Sequence, residues 1–182
     1  NEGKSFQGSI VIGMGFLLSD DDAKQMLAAD TRTADVIFPY LNGEDLNSNP
    51  AQKPSRWAVN FWDWSEQKAR SYDKPWRWIE ERVQPERQRR DEHGDYVLRN
   101  PLPQRWWQYG DKRPALYHTI GRGRFFDHHP DGWIQNSHSL PSVLVIPETT
   151  KYCLFSLVDN DIVFSHMLKL IADDSYEMLC IL

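Results

Sequence analysis

Long apolar runs are missing from this 182-residue chain, as is any opening pattern of a secretory leader. No membrane-spanning helix is therefore predicted, and no membrane partner. Cysteine is almost absent, with Cys153 and Cys180 the two present. That scarcity excludes a disulfide-dense secreted scaffold. Both cysteines sit in apolar runs (residues 152–158 and 176–182), which reads as buried free thiols in a reducing compartment; a disulfide or a metal role is the alternative. Positive charge is in deficit, with 21 Lys/Arg against 26 Asp/Glu and a net charge of −5. A surface that binds nucleic acid all over is thereby disfavoured, whereas a localised basic face is not. At 40% hydrophobic and 26% charged residues, the composition is that of a globular chain able to bury one core.

What is present is unevenly placed. Seven of the eight tryptophans lie between Trp57 and Trp107. The surrounding residues 50–124 carry 16 Lys/Arg against 10 Asp/Glu, while both flanks are acidic, 3 against 8 and 2 against 8. Cations draw phosphates, and flat aromatic faces offer stacking area, so this coincidence suits a polyanionic partner. Tryptophan is also a good core residue, and Trp57, Trp62, Trp64, Trp76, Trp78 and Trp106 each read more readily as core.

The pattern along the chain is α+β. Residues 8–18 (GSIVIGMGFLL) predict a strand pair or bulged strand. Ser19 followed by Asp20, Asp21 and Asp22 marks a helix start, with acids at the positive end of the dipole. Residues 35–40 read as a short strand, 41–45 as a turn, 47–55 as a loop and 56–62 as a half-buried strand. From Ser65 to about Arg90 the period is helical, broken at Pro75 and Pro85 into two or three pieces. Residues 104–119 predict a helix interrupted at Gly110 and Pro114, and 121–142 an irregular excursion. Strand-like runs follow at 143–146, 152–158, 162–171 and 176–182, with a hairpin turn at 158–161. The expectation is one domain over residues 1–182: a twisted, largely antiparallel sheet with several broken helices, and loop excursions at 91–103 and 121–142.

Few motifs survive comparison with simpler readings. Gly13-Met14-Gly15-Phe16 lies inside an apolar run, and strand glycines explain it better than a cofactor-binding turn. Asn100-Pro101-Leu102-Pro103 lacks the aromatic residue that an amino-methylating loop needs for stacking. His118, His128, His129 and His138 have no cysteine or carboxylate at a metal-ligand spacing, so a metal-dependent nuclease is a remote third reading. Arg87, Arg89 and Arg90 alternate with acids and read as a solvated helix face. Arg105, Lys112, Arg113, Arg122 and Arg124 are different, since Asp111 is the sole acid between Gln104 and Arg124. They are the candidates for phosphate.

Several strings carry a resemblance when taken in order. They are Ser5-Phe6-Gln7-Gly8-Ser9, Gly13-Met14-Gly15-Phe16, and the run from Ile37 to Ser48 (IFPYLNGEDLNS). Arg56-Trp57, Asn60-Phe61-Trp62-Asp63-Trp64, Val83-Gln84-Pro85-Glu86-Arg87 and Arg105-Trp106-Trp107-Gln108-Tyr109 come next. Arg113-Pro114-Ala115-Leu116-Tyr117 and Thr150-Lys151-Tyr152 close the series. Together they resemble the target-recognition region of MmeI-like (type IIL) DNA adenine methyltransferases and restriction–modification enzymes. The likeness spans nearly the whole chain and is weakest at 91–103 and 121–142.

The resemblance implies a methyltransferase target-recognition-domain-like fold and sequence-specific recognition of double-stranded DNA. It implies no catalysis by these residues and no cofactor or metal held by them. S-adenosylmethionine would belong to a catalytic methyltransferase domain of the same polypeptide, and Mg to a nuclease domain if the parent has one. A bacterial, cytoplasmic setting follows from the same likeness. The chain opens at Asn1 and closes within an apolar run, so we read it as a piece of a longer polypeptide. Arg105, Lys112, Arg113, Arg122, Arg124 and Lys151 are the expected DNA contacts. The alternative is a protein-interaction module whose tryptophan-rich segment docks on the parent's catalytic domain.

Overall fold

A computed structural model describes residues 3–135 and 139–182. In chain order its elements are β1 (Ser5–Gln7), β2 (Leu17–Leu18), α1 (Asp20–Ala29), β3 (Ile37–Leu41), α2 (Gly43–Ser48) and β4 (Arg56–Val59). Next come α3 (Glu66–Arg70), α4 (Asp73–Arg82), α5 (Gln84–Arg87) and α6 (Pro114–Thr119). The order ends β5 (Ser142–Pro147), β6 (Ser156–Asp159), β7 (Val163–Phe164), β8 (Leu168–Ile171) and α7 (Tyr176–Ile181). Short 3₁₀ turns occupy Met14–Phe16, Thr31–Asp35 and Gly123–Phe125. The class is α+β with short helices and two sheets, not a single one. No helix among the described residues is long and apolar enough to cross a membrane.

The chain divides into two compact units. Residues within 1–9, 39–55 and 113–182 form a sheet unit, and 10–38 with 56–112 form a tryptophan-rich unit. The sheet unit is built on four antiparallel strands in the order β1-β8-β5-β6. The Leu144↔Ile171 and Val143↔Val158 pairings place β5 in the middle, where Val143, Leu144 and Val145 are all fully buried. In the same unit, Tyr40 and Leu41 of β3 pair in parallel with Val163 and Phe164 of β7. The tetrad at 158–161 thus turns the chain without joining β6 to β7 as a hairpin, because β6 pairs with β5.

In the tryptophan-rich unit, β2 and β4 run antiparallel with Leu18 opposite Trp57. Helix α1 starts where its cap predicts: the Ser19 hydroxyl accepts the Asp22 N–H at 3.2 Å. Both prolines of the helical stretch stand near the beginnings of α4 and α5, where a missing N–H removes nothing from the ladder. The tryptophans build the core. Trp62, Trp64, Trp76, Trp106 and Trp107 are buried, and the Trp76 and Trp106 rings lie 4.8 Å apart. Their polar edges are occupied too: Trp107 Nε1 donates to Trp64 O and Trp57 Nε1 to Asp20 Oδ1, each at 3.0 Å.

Several local expectations fail for physical reasons. Residues 41–45 begin helix α2 because Asn42 makes a full capping box with Asp45, which outweighs the turn-like composition. The helix expected over 104–119 is confined to α6. Trp106, Trp107, Gln108 and Tyr109 are four consecutive buried residues, and no single helix face can bury four in a row. An irregular turn instead lets Gln108 Nε2 reach Trp64 O at 2.8 Å and the Tyr109 hydroxyl reach Val59 O at 2.8 Å. Residues 176–182 form helix α7 where a strand was expected, Ser175 capping it through the Met178 N–H; so short an apolar run has no decisive period. Cys153 and Cys180 are exposed free thiols, not buried ones, because α7 and the segment before β6 leave them on the surface.

Candidate nucleic-acid interface

The six expected contact residues fall into three physical states. Arg122 is 4% exposed, and its Nη1 donates to the carbonyls of Asn160, at 3.0 Å, and Ile162. The Asn160 amide in turn donates to Ile120 O at 2.6 Å and Leu140 O at 2.8 Å. Burial pulls the Arg122 guanidinium down to about 10, since desolvation penalises the charged form. With Tyr117 at 5.3 Å and Phe125 at 5.4 Å, it stitches the end of α6 to the turn after β6. A phosphate has no route to it in this conformation.

Lys112 and Arg113 are half-buried. Arg113 has a left-handed backbone (φ 51) just before Pro114, and it tethers β1 by donating to Gln7 Oε1 at 2.9 Å and Gly8 O at 3.3 Å. Lys112 Nζ donates to Gln108 Oε1 at 3.1 Å. Its pKa is lowered mainly by burial and further by the nearby Arg105, against the opposing pull of Asp63 and Asp111.

Arg105, Arg124 and Lys151 are exposed. Arg105 belongs to the tryptophan-rich unit, Arg124 and Lys151 to the sheet unit. The Arg124 guanidinium sits 4.5 Å from the centre of the Phe125 ring, within cation–π range. Lys151 stands in the connection between β5 and β6, its Nζ 5.1 Å from the ring of Tyr152, which is 60% exposed. This connection is pinned at its base, where Asn47 Nδ2 donates to Thr149 O at 3.1 Å and Lys169 pairs with Glu148 at 3.1 Å. Short exposed cations on tethered turns can neutralise phosphate and, as arginine, read guanine edges.

Sequence reasoning missed a second feature. Arg87, read as part of a solvated face, is fully buried, while Arg89 and Arg90 are exposed as expected. Its Nη2 donates to Val11 O at 2.8 Å and Ile12 O at 2.7 Å, and its Nε to Ile12 O at 3.1 Å. Burial again lowers it, to about 10. The stretch thus held, residues 10–16, is not the expected strand but an irregular turn ending in the Met14–Phe16 3₁₀ turn. Gly13 adopts φ 111, and Gly15 is packed so closely that an added Cβ would lie 2.7 Å from Arg82 O. The signal was there in two glycines flanking Met14, but nothing local linked them to Arg87.

Of the histidines, His118 Nε2 and His129 Nδ1 share a hydrogen bond at 3.0 Å, and His129 stacks on Trp133 at 3.8 Å. No three His, Cys, Asp or Glu side chains among the described residues are grouped to hold a metal ion. His138 lies outside the described residues.

No protein-family model matches the sequence, and no curated protein matches it. Among solved structures the fold is similar to that of the type IIL restriction–modification enzyme MmeI in complex with DNA. The TM-score is 0.59 at 16% identity, over 97% of this chain and 20% of that one. The chain therefore spans about a fifth of that enzyme's length, and what the likeness establishes is a shared fold over almost all of these residues.

Proposed function

We propose that this chain is a DNA target-recognition domain of a restriction–modification-type adenine methyltransferase, non-catalytic by itself. The observation that carries the reading is the likeness, over 97% of the chain, to an enzyme solved with DNA bound. The ordered resemblance of the sequence strings to target-recognition regions supports it independently. In this reading Arg105, Arg124 and Lys151 meet the duplex, with Arg124 suited to guanine O6 and N7 and Arg105 and Lys151 to phosphate. Lys112 and Arg113 act from a half-buried position, and Arg122 holds the fold of the sheet unit. Methyl transfer from S-adenosylmethionine, and any Mg-dependent cleavage, is assigned to other parts of the polypeptide, and the setting is bacterial cytoplasm.

Binding of the intact parent to its cognate duplex across a salt series tests this. Each of Arg105→Ala and Arg124→Ala should weaken binding and lower the salt slope by about one if it touches phosphate, or relax one base position if it reads guanine. Unchanged affinity and unchanged slope in both would remove them from the interface. A second reading is a module that docks on the catalytic domain of the same polypeptide. It draws on α7, where Tyr176 and Ile181 are 70% and 79% exposed. Tyr176→Ser with Ile181→Ser would then impair methylation without changing the salt slope of DNA binding.

A further inference from the structure

The turn at residues 10–16 has features that a structural connector does not need. Ile12 has φ 46, a left-handed conformation that strains a β-branched residue. Met14 is 67% exposed and Ile12 38%, so the turn presents two apolar side chains to water. Everything beneath them is fixed. A fully buried arginine, Arg87, holds the Val11 and Ile12 carbonyls through three bonds. Its Nη1 is buried without any hydrogen bond, so a full charge has been taken from water to grip the backbone of this one turn. Ile10 exchanges two backbone bonds with Asp111, at 3.0 and 3.1 Å, on the entering side. On the leaving side Trp78 Nε1 donates to Gly15 O at 3.0 Å, and Phe16 meets Tyr109 edge-on at 5.1 Å. A strained residue persists where its surroundings over-determine it, and such positions cluster at functional sites.

Cations flank the tip. The Ile12 side chain lies on Gly110, two residues before Lys112, and Arg105 is near enough to Lys112 to depress it further. Arg82 backs Gly15, its guanidinium lying over the Trp78 ring at 3.6 Å and pairing with the exposed Glu81 at 3.2 Å. Acids stand there too: the Glu86 carboxylate approaches Gly13, and Asp111 is bonded to Ile10. A rigid apolar point between positive side chains matches a stacked base step between two phosphate backbones. We propose that Ile12 and Met14 form a wedge that enters a base step of duplex DNA, opening the stack while Arg82, Arg105 and Lys112 take the flanking phosphates. The proposal rests on the DNA-recognition reading and adds deformation of the duplex to it.

The test compares two 30-base-pair duplexes of one sequence, one fully paired and one with a single central mismatch. The mismatch lowers the work of unstacking, so a wedge should favour that duplex by about tenfold. In Ile12→Gly/Met14→Gln the preference should fall to within about twofold of unity, glycine accepting the positive φ at position 12. Thermal melting confirms that the variant is folded, and Met14→Gln alone should give an intermediate preference. Arg105→Ala should instead weaken both duplexes alike. Binding of both duplexes by the wild type with no preference, or a preference that the double variant retains, overturns the wedge and leaves DNA recognition standing. No binding to either duplex at low salt overturns both.

Discussion

Each unit buries one arginine, and the two are held alike yet serve different ends. Arg122 in the sheet unit donates to the Asn160 and Ile162 carbonyls, within a knot that Asn160 extends to Ile120 and Leu140. Arg87 in the tryptophan-rich unit donates to the Val11 and Ile12 carbonyls and holds a turn that faces water. Both guanidinium groups lie in apolar surroundings that lower them to about 10. The first closes a core, whereas the second supports a strained and exposed apolar tip. Irregular backbone inside a core leaves carbonyls unpaired, and a guanidinium with its fork of donors can satisfy several at once. A cation in a basic stretch is therefore not by that fact a ligand for phosphate.

The comparison can be broken most forcefully at Arg122. Arg122→Met should destabilise the chain by about 3–5 kcal/mol, because it strands several buried carbonyls, and urea unfolding reads this directly. A loss below about 1 kcal/mol would mean that its bonds are not structural. Arg87→Met should cost less, about 2–3 kcal/mol, since the turn it holds lies at the surface. Hydrogen exchange should then show residues 10–16 opening first, and a uniform loss of protection would merge the two arginines into one class. Ile12→Gly should shift stability by no more than about 1 kcal/mol, as relief of the positive φ offsets the lost side chain. Smallest of all, Arg124→Ala should leave unfolding within about 0.5 kcal/mol of wild type, because its side chain is exposed. If Arg124→Ala instead destabilised the chain as Arg122→Met does, the division between buried and exposed arginines would collapse.

How much of this was legible depended on range. The start of α1 at Ser19 is written in neighbouring residues and appears where expected, and the helical stretch breaks into three pieces just before Pro75 and Pro85, at Ser71–Tyr72 and Val83, not at the prolines themselves. Asn42 was also legible as a cap in principle, but its own turn-like neighbours, Gly43 among them, masked it. Residues 104–109 could not be read, because a run such as Trp106 to Tyr109 has helix-forming letters and no helical face. Its backbone is set by acceptors on Trp64 and Val59, more than 40 residues earlier. The thiols failed similarly: an apolar neighbourhood in sequence did not bury Cys153 or Cys180.

For the candidate interface the same division holds. Composition marked the segment rich in arginine and tryptophan, and the ordered strings pointed to a fold like that of a DNA-bound restriction–modification enzyme. Nothing in the sequence distinguished Arg122 from Arg124, two positions apart and identical in type. The sequence by itself determined the α+β class, the start of α1 at Ser19 and the tryptophan-rich core, since each follows from local periodicity, capping chemistry or the bulk of the side chains. Only the tertiary structure decided which arginines face water, and that a strained turn is gripped by a residue 75 positions further along. A guanidinium's role is set by the distant backbone carbonyls that fold around it, and those are not neighbours in the chain.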